Sequence, residues 1–306
     1  MSPLERFAHH RDAVRARLAG SGHVRPGPGS VTWKINREIV VVAGWGRAIL
    51  LQLAHPSLAA GVHAHSRFRG SLWSGFSRLH STVSAMLSIT FGDDEQVVAA
   101  AAGINTIHDR VRGYVDGGHQ TYSAHDPDLQ RWVHVTLVQS MPLVYESLVG
   151  PLSAEEKDRY CAEAAIMEPL LGMPEGWLPC QSAQLDAYVA DMLAAGELDV
   201  TDTSRALARA ILYPPHWYLC WPVFRAMQLL TIGSLPSTIR QAYGLTWSER
   251  DQRSFARWTA FIRGTRRLLP RFAREWPRAR RNSLVTRDLS PRDRERPSPA
   301  AAGRWG

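Results

Sequence analysis

The segment from Asn36 to Ala54 restricts the fold of this chain more than any other, because it is apolar on nearly every side. A helix that is apolar on all sides cannot present a polar face to solvent, so we expect it to be buried at the centre of a large helical domain. His55-Pro56 is expected to end this helix, since proline disfavours helical geometry in the residue before it. The rest of the chain must therefore supply helices that surround this segment.

Apolar residues recur at intervals of three and four along most of the chain, and no convincing alternating run of strand type occurs. Further helices are predicted over residues 3–19, 76–91, 93–115, 129–148, 153–171, 182–195, 202–212, 218–230, 236–243 and 246–269. Ser153-x-x-Glu156 and Thr246-x-x-Glu249 match the capping box that begins a helix. A Gly- and Ser-rich loop is predicted before Phe76.

These patterns predict an all-α fold with a single large helical domain. Residues 1–30 are expected to form an N-terminal helix and a Pro/Gly-rich connector, and residues 31–276 the domain itself. Residues 277–306 are rich in Arg, Pro, Ser and Ala and offer no apolar face, so a disordered basic tail is predicted there.

The net charge of +8 is concentrated at the C-terminal end. From Arg263 onward 13 arginines stand against 4 acidic residues, a surplus of +9 that leaves the rest of the chain at about −1. The tail lacks interleaved aromatic residues and any nucleic-acid motif, so no nucleic-acid partner is expected. Contact between the basic tail and an anionic membrane surface stays open.

Cysteine usage and the N-terminus indicate a cytoplasmic location. Cys161, Cys180 and Cys220 are odd in number and far apart, which supports neither a disulfide framework nor a cysteine zinc site. The N-terminus has no apolar signal region, and the run from Ile39 to Gly46 is too short to cross a bilayer.

The predicted helix over residues 93–115 carries a histidine on its buried stripe. The members of the stripe are Val97, Ala101, Ile104, His108, Val111 and Val115. A buried imidazole either binds a metal through one nitrogen or makes two ordinary hydrogen bonds. On this stretch alone the ordinary hydrogen bonds are favoured.

Arg78 and Thr82 lie four residues apart and share one helix face that is otherwise apolar. An arginine there needs an anionic partner, which is either a ligand or an acidic side chain of the protein. The chain has 12 histidines but no H-E-x-x-H motif, and it has no G-x-S-x-G or phosphate-binding glycine motif. The loop that follows the His108 helix holds candidate pocket-rim residues, namely Asp116, His119, Tyr122, His125 and Asp126.

A series of motifs between Arg37 and Trp247 closely resembles the MpaB/rubber-oxygenase (latex-clearing protein) family. In order, the motifs are Gly46-Arg47-Ala48-Ile49-Leu50-Leu51-Gln52-Leu53-Ala54-His55-Pro56, His65-Ser66, Arg78-x-x-x-Thr82, Ile107-His108-x-x-Val111-x-Gly113, Tyr122-Ser123-Ala124-x-Asp126-Pro127-x-Leu129 and Trp132-Val133-His134. The ordered series is far more specific than any single motif.

The resemblance implies a globin-like helical core that binds haem b, with His108 as the proximal ligand of the iron. It further implies that Arg78 and Thr82 are catalytic haem-pocket residues and that Arg112 contributes to cofactor binding. Ser81 stands where some rubber oxygenases carry a lysine that binds the iron from the distal side. The distal chemistry of those enzymes therefore does not transfer.

The expected function is that of a haem b-dependent oxygenase that uses O2 to oxidise or cleave a C=C bond of a hydrophobic, isoprenoid-like small molecule. The helix over Ile39–Leu53 together with Leu79, Val83 and Met86 is expected to line the apolar slot. Two alternatives stay open at this point. One is a non-catalytic haem or lipid carrier, and the other is a haem-free metalloenzyme that uses His63, His65, His119 and His125.

Overall fold

The computed structural model is helical almost throughout and forms one domain, which confirms the all-α prediction. It describes residues 2–65, 83–115, 118, 120–214 and 221–288, the last six by backbone alone. The helices are α1 (Pro3–Gly20), α2 (Val31–Asn36), a 3-10 turn (Ile39–Val42), α3 (Ala43–Leu53), α4 (Pro56–His65), α5 (83–91), α6 (Asp94–His108), α7 (Pro127–Leu148), α8 (Ala154–Ala164), α9 (Met167–Leu171), α10 (Ser182–Ala194), α11 (Asp202–Leu212), α12 (Trp221–Ser234), α13 (Ser237–Ala242), α14 (Glu249–Arg266), α15 (Arg271–Arg274) and α16 (Pro277–Asp288). The globin-like arrangement stays a prediction.

Helix α3 lies at the centre of the domain and packs against α7, α12, α11 and α4. Two glycines let it approach its neighbours closely: a Cβ at Gly44 would lie 2.8 Å from Met141 Cε, and one at Gly46 would overlap the Thr231 hydroxyl. Arg47 follows, 4% exposed, and donates to the Ser234 carbonyl, Ser140 Oγ and Gln139 Oε1. Backbone contact and a buried cation therefore join α3 to α7 and α12.

The prediction of one helix from Asn36 to Ala54 is wrong, because the chain breaks at Arg37 and Glu38 before α3 begins. The Arg37 carbonyl accepts a hydrogen bond from the Trp276 amide, and Glu38 forms an isolated backbone bridge with Glu275. The buried Glu38 carboxylate pairs with Arg266 of α14. These long-range partners outweigh the local preference for one uninterrupted helix.

The prediction that the His108 helix continues to Val115 is also wrong. Helix α6 ends at His108, and the chain then forms a hairpin of β1 (Arg112–Tyr114) and β2 (Thr121–Ser123) with Gly113 opposite Tyr122. Val111 and Val115 are still packed, against Ala60 and Tyr122. Their spacing indicated burial correctly, but the apolar surface that they cover belongs to α4.

Several predicted boundaries are confirmed and others need correction. Helices α1, α7, α10, α11 and α13 match within two residues, and Ser153 and Glu156 form the predicted capping box. The region predicted as a loop before Phe76 includes α4, since Pro56 begins a helix and the Ser57 amide donates to His55 Nδ1 at 3.2 Å. The helix predicted to reach residue 171 is divided into α8 and α9. The last long helix begins with a Ser248–Asp251 capping box instead of Thr246, and it ends at Arg266.

Disorder was predicted from residue 277, but α16 spans Pro277–Asp288. Ala279 is buried in a small cluster with Trp33 and Phe91, and Asn282 donates to the Phe91 carbonyl. A buried alanine and an amide hydrogen bond therefore attach α16 to the domain, although this helix lacks an obvious apolar stripe. Residues 289–306 lie outside the described part of the chain.

No single helix among the described residues is long and apolar enough to cross a membrane. The pair Ile39–Leu53 and Pro56–His65 reaches that length and composition only together, and it is bent by 107°. Leu50, Leu51 and Leu53 of this pair are fully buried in the core.

Replacement of Gly46 by alanine should destabilise the fold by about 1–3 kcal/mol, because the added methyl group overlaps the buried Thr231 side chain. Gly264→Ala is the matched control: that helical glycine of α14 has open space around its Cα, so it should gain about 0.5–1 kcal/mol from helix propensity. Urea denaturation measures the free energy of unfolding of both variants. Equal stability of Gly46→Ala and wild type would contradict the close packing, and Thr231→Ala should partly rescue Gly46→Ala.

Candidate functional site

Contacts at both ends of α6 fix the position of this helix. Asp93 caps the start of the helix by accepting from the Gln96 amide at 2.8 Å. Near the other end, Asn105 is 2% exposed and donates to the Leu170 carbonyl of α9 at 2.9 Å. Val14 of α1 is fully buried in the cluster that α1 and α6 share. The last residue of α6, His108, therefore has a well-defined backbone position.

The imidazole of His108 is half-buried, and its Nδ1 atom is shielded from solvent without a hydrogen-bond partner among the described residues. Burial, with a smaller effect of the nearby His125, lowers the pKa of His108 to about 4, and Asp109 opposes this shift only partly. The ring is therefore neutral at physiological pH. A neutral imidazole keeps a lone pair that can bind a metal.

A hydrogen-bonded bridge lies directly beside this ring. Asp109 accepts from His10 of α1 through Oδ2 at 2.8 Å and from His125 through Oδ1 at 2.9 Å. The His125 ring meets the His108 ring edge to face, with centroids 5.7 Å apart. Burial alone would raise the pKa of Asp109, but the hydrogen bonds with His10 and His125 lower it overall. The bridge is thus built around a carboxylate.

The β-hairpin covers α4 on the other side of Asp109. Tyr122 of β2 is buried between two glycines, since a Cβ at Gly61 would lie 3.3 Å and one at Gly113 2.8 Å from its phenol group. His65 at the end of α4 meets the Tyr122 ring edge to face and lies 3.3 Å, through Nε2, from the Arg112 carbonyl. The hairpin therefore follows α6 in a fixed orientation.

His134 on α7 is a second buried imidazole without a complete set of partners. It is 8% exposed, and its Nε2 atom has no hydrogen-bond partner among the described residues. Burial lowers the pKa of His134 to about 4, so this ring is also neutral. Sequence reasoning included His134 only as part of a motif and gave it no role.

The predicted site residues divide into three groups. Arg78 and Thr82, like Ser81, His119 and Asp116, lie outside the described residues. His108 and Arg112 are close in the chain, but the Arg112 side chain is exposed on β1. His63 and His65 are exposed, and the described part of the chain contains no group of three or more His, Cys, Asp or Glu placed to hold a metal ion. His119, a member of the predicted haem-free set, is outside that part.

Sequence reasoning missed His10, which lies 99 residues from its partner Asp109. The available signal was its spacing: His10 stands four residues before Val14, so both lie on the face of α1 that packs against α6. It also missed the buried Arg47, which the apolar pattern of its segment concealed.

These residues fit an axial ligand of haem. A histidine that binds haem iron must be a neutral imidazole with a nitrogen free to bind the metal. At neutral pH His108 is uncharged, and its shielded Nδ1 atom has no hydrogen-bond partner among the described residues. The chemistry of the residue is therefore compatible with the cofactor that the resemblance implies.

The fold and this site define a helical protein with an uncharged, incompletely partnered histidine at a helix end. The sequence profile of the family described as "ER-bound oxygenase mpaB/B'/Rubber oxygenase, catalytic domain" matches residues 33–264, and the chain belongs to this family. Two mycobacterial relatives, the uncharacterized proteins Mb2261 of Mycobacterium bovis and Rv2237 of Mycobacterium tuberculosis, are each 27% identical over 230 residues, which is 72% of this chain and 87% of theirs. No solved structure matches. The family assigns a general oxygenase role, and with it O2 and an organic substrate.

Acid should weaken the fold through His134. The unfolded chain accepts a proton at a pKa near 6.5, whereas the folded chain does so only near 4, so the unfolded state binds more protons between those values. The stabilisation that neutral His134 contributes is complete above about pH 6.5. It decreases as the pH falls, and about 2 kcal/mol of it is lost at about pH 5. His108, whose pKa is lowered in the same way, contributes a similar loss in both proteins, so urea unfolding at about pH 7 and pH 5 should show a loss about 2 kcal/mol smaller in His134→Gln than in wild type. Equal losses in both proteins would contradict the shift.

Proposed function

We propose that this protein is a haem b-dependent oxygenase that uses O2 to oxidise or cleave a C=C bond of a hydrophobic, isoprenoid-like small molecule. The oxygenase role comes from the family. The observation that supports haem is His108, an imidazole that is uncharged at neutral pH and has a shielded nitrogen without a described partner. Of the described histidines, only His108 and His134 have a ring nitrogen that is shielded and lacks a partner, and only His108 stands at the position that the family resemblance gives to the proximal ligand.

In this proposal His108 holds the iron, and the resemblance adds Arg78, Thr82 and Arg112 to the pocket. The bound haem supplies the activation of O2. The protein provides a neutral ligand, because burial prevents protonation of His108 above a pH of about 4. It also fixes that ligand, because Asn105 and Asp109 anchor the last turn of α6 to α9 and α1.

The proposal of a hydrophobic substrate is supported by apolar side chains that the rest of the protein covers only partly. Val83 and Met86 on α5 are half-buried, so part of each side chain stays accessible. The sequence analysis also assigned α3 to the slot, but Leu50, Leu51 and Leu53 are fully buried in the core and have no free surface. The apolar wall is therefore better assigned to α5 than to these leucines.

Purified wild-type protein should contain stoichiometric haem with a Soret band, and His108→Ala should bind haem at least about a hundredfold more weakly, because the ligand itself is lost. His63→Ala is the matched control, since His63 is an exposed histidine of α4 and should keep its haem. Pyridine haemochrome analysis measures the haem content of wild type and both variants, and total iron is determined alongside. Iron without porphyrin in wild-type protein would instead favour the haem-free alternative with His63, His65, His119 and His125.

Formation of a product distinguishes an oxygenase from a non-catalytic carrier. Incubation of the haem-loaded protein with a panel of unsaturated isoprenoids should give carbonyl or oxygenated products under O2 and none under anaerobic conditions. A haem-loaded protein that forms no product with any member of the panel would favour the carrier.

The proposal includes peripheral contact with an anionic membrane, from which a hydrophobic substrate is drawn. Residues 257–274 contain six arginines and no acidic residue. Phe261, Leu268 and Phe272 of this stretch are exposed. Apolar side chains among cations suit the interface of an anionic bilayer.

The double variant Phe261→Ser/Phe272→Ser should bind anionic vesicles about tenfold more weakly than wild type, since two aromatic side chains no longer enter the interface. Leu4→Ser removes an equally exposed apolar residue from α1 and should bind like wild type. Co-sedimentation with phosphatidylglycerol/phosphatidylcholine vesicles measures this. Unchanged binding of the double variant, together with loss of binding on truncation after Asp288, would assign the contact to the tail instead.

A further inference from the structure

The bridge between His10, Asp109 and His125 joins three separate parts of the chain at one carboxylate. His10 comes from α1, Asp109 follows the last residue of α6, and His125 follows β2. Both carboxylate oxygens are used, at 2.8 Å and 2.9 Å. The His10 and Asp109 side chains are mostly sheltered, with 16% and 27% exposed, whereas 37% of the His125 side chain is exposed. The two imidazoles also stack on each other, with centroids 6.3 Å apart.

Helix stability alone does not favour this arrangement. An aspartate at the carboxyl end of a helix meets the negative end of the helix dipole, so it is electrostatically unfavourable there. Attachment of α1 to α6 does not require it either, because Val14 is buried between the helices and Arg15 pairs with Glu95 at 2.6 Å. The bridge therefore needs an explanation beyond packing.

The bridge continues to the candidate iron ligand. His125 is held by Asp109 and meets the His108 ring at an interplanar angle of 79°. Asp109 is also the residue next to His108, so the same carboxylate fixes the backbone on one side of the ligand and a ring that contacts it. Groups that orient a metal-binding histidine in this way commonly determine its affinity and electronic character.

We propose that Asp109, with His10 and His125, is a positioning residue set for His108, and that α1 thereby forms part of the haem site although it lies outside the family match at residues 33–264. This inference rests on the proposed function, since it requires haem at His108. The carboxylate holds the His125 ring against the His108 imidazole, and through that ring it orients the ligand; it also adds a negative charge near the iron. That charge stabilises the more oxidised state and lowers the reduction potential.

The test uses the full-length, haem-loaded protein and two readouts besides activity: the rate of haem transfer to excess apomyoglobin and the reduction midpoint potential. Asp109→Asn keeps the shape but removes the charge, so it should raise the potential and release haem about tenfold faster. His10→Ala should also release haem faster, whereas His10→Gln, which retains an N–H donor, should restore most of the loss. Arg15→Ala is the matched control, because it breaks another α1–α6 contact and should change neither readout.

Three results would overturn this inference, and they are distinguishable. If wild-type protein binds haem but Asp109→Asn and His10→Ala match it in both haem release and potential, the positioning role is wrong while the proposed function stands. If wild-type protein binds no haem at all, both fail together. A change in thermal stability without a change in potential would show that the bridge only attaches α1, which also overturns the proposal.

Discussion

The close packing of α3 is the constraint on which the rest of the domain depends. Gly44 and Gly46 remove the side chains that would separate α3 from α7 and α12. Arg47 then lies in the narrow space between the helices, where burial lowers the pKa of its guanidinium to about 10. It is still charged at neutral pH, and neutral acceptors on α7 and at the last residue of α12 offset much of its desolvation. A substitution that widens this contact would move α7, and with it the segment that follows the hairpin.

The candidate site is built at the edge of this core, where α6 stops and the hairpin begins. Its unusual property is an imidazole that burial keeps uncharged and whose shielded Nδ1 atom has no partner in the described part of the chain. Buried polar atoms are nearly always paired, so an orphan of this kind indicates a missing partner. The neighbouring carboxylate and its two histidines fix this end of α6, which suits the role that we propose for His108 as a cofactor ligand.

Local signals in the sequence were enough for several helix starts and for the fold class. The Ser153–Glu156 capping box, the Asp93 cap and the burial of Val111 and Val115 all follow from residues close in the chain. The errors have a different origin. The break at Glu38 depends on Arg266 and Glu275, more than 200 residues away, and no periodicity within residues 36–54 reveals it.

The same distinction applies to the site. His108 was identified because it lies on an apolar stripe and within a family motif, whereas the Asp109–His10 contact joins residues 99 positions apart and could not be seen from either one alone. The end of α6 was misplaced because Val111 and Val115 continue the helical spacing. Their actual partners are on α4, which the Gly- and Ser-rich composition of the region had hidden.

The central claim is that one neutral histidine binds haem iron and leaves the opposite coordination position free for O2. The optical spectrum of the oxidised protein, then of the dithionite-reduced protein before and after addition of carbon monoxide, tests this most directly. The account predicts a haem b spectrum that shifts on addition of carbon monoxide, as expected for an open sixth site. A protein without porphyrin absorption, or a reduced haem whose spectrum carbon monoxide leaves unchanged, would contradict it.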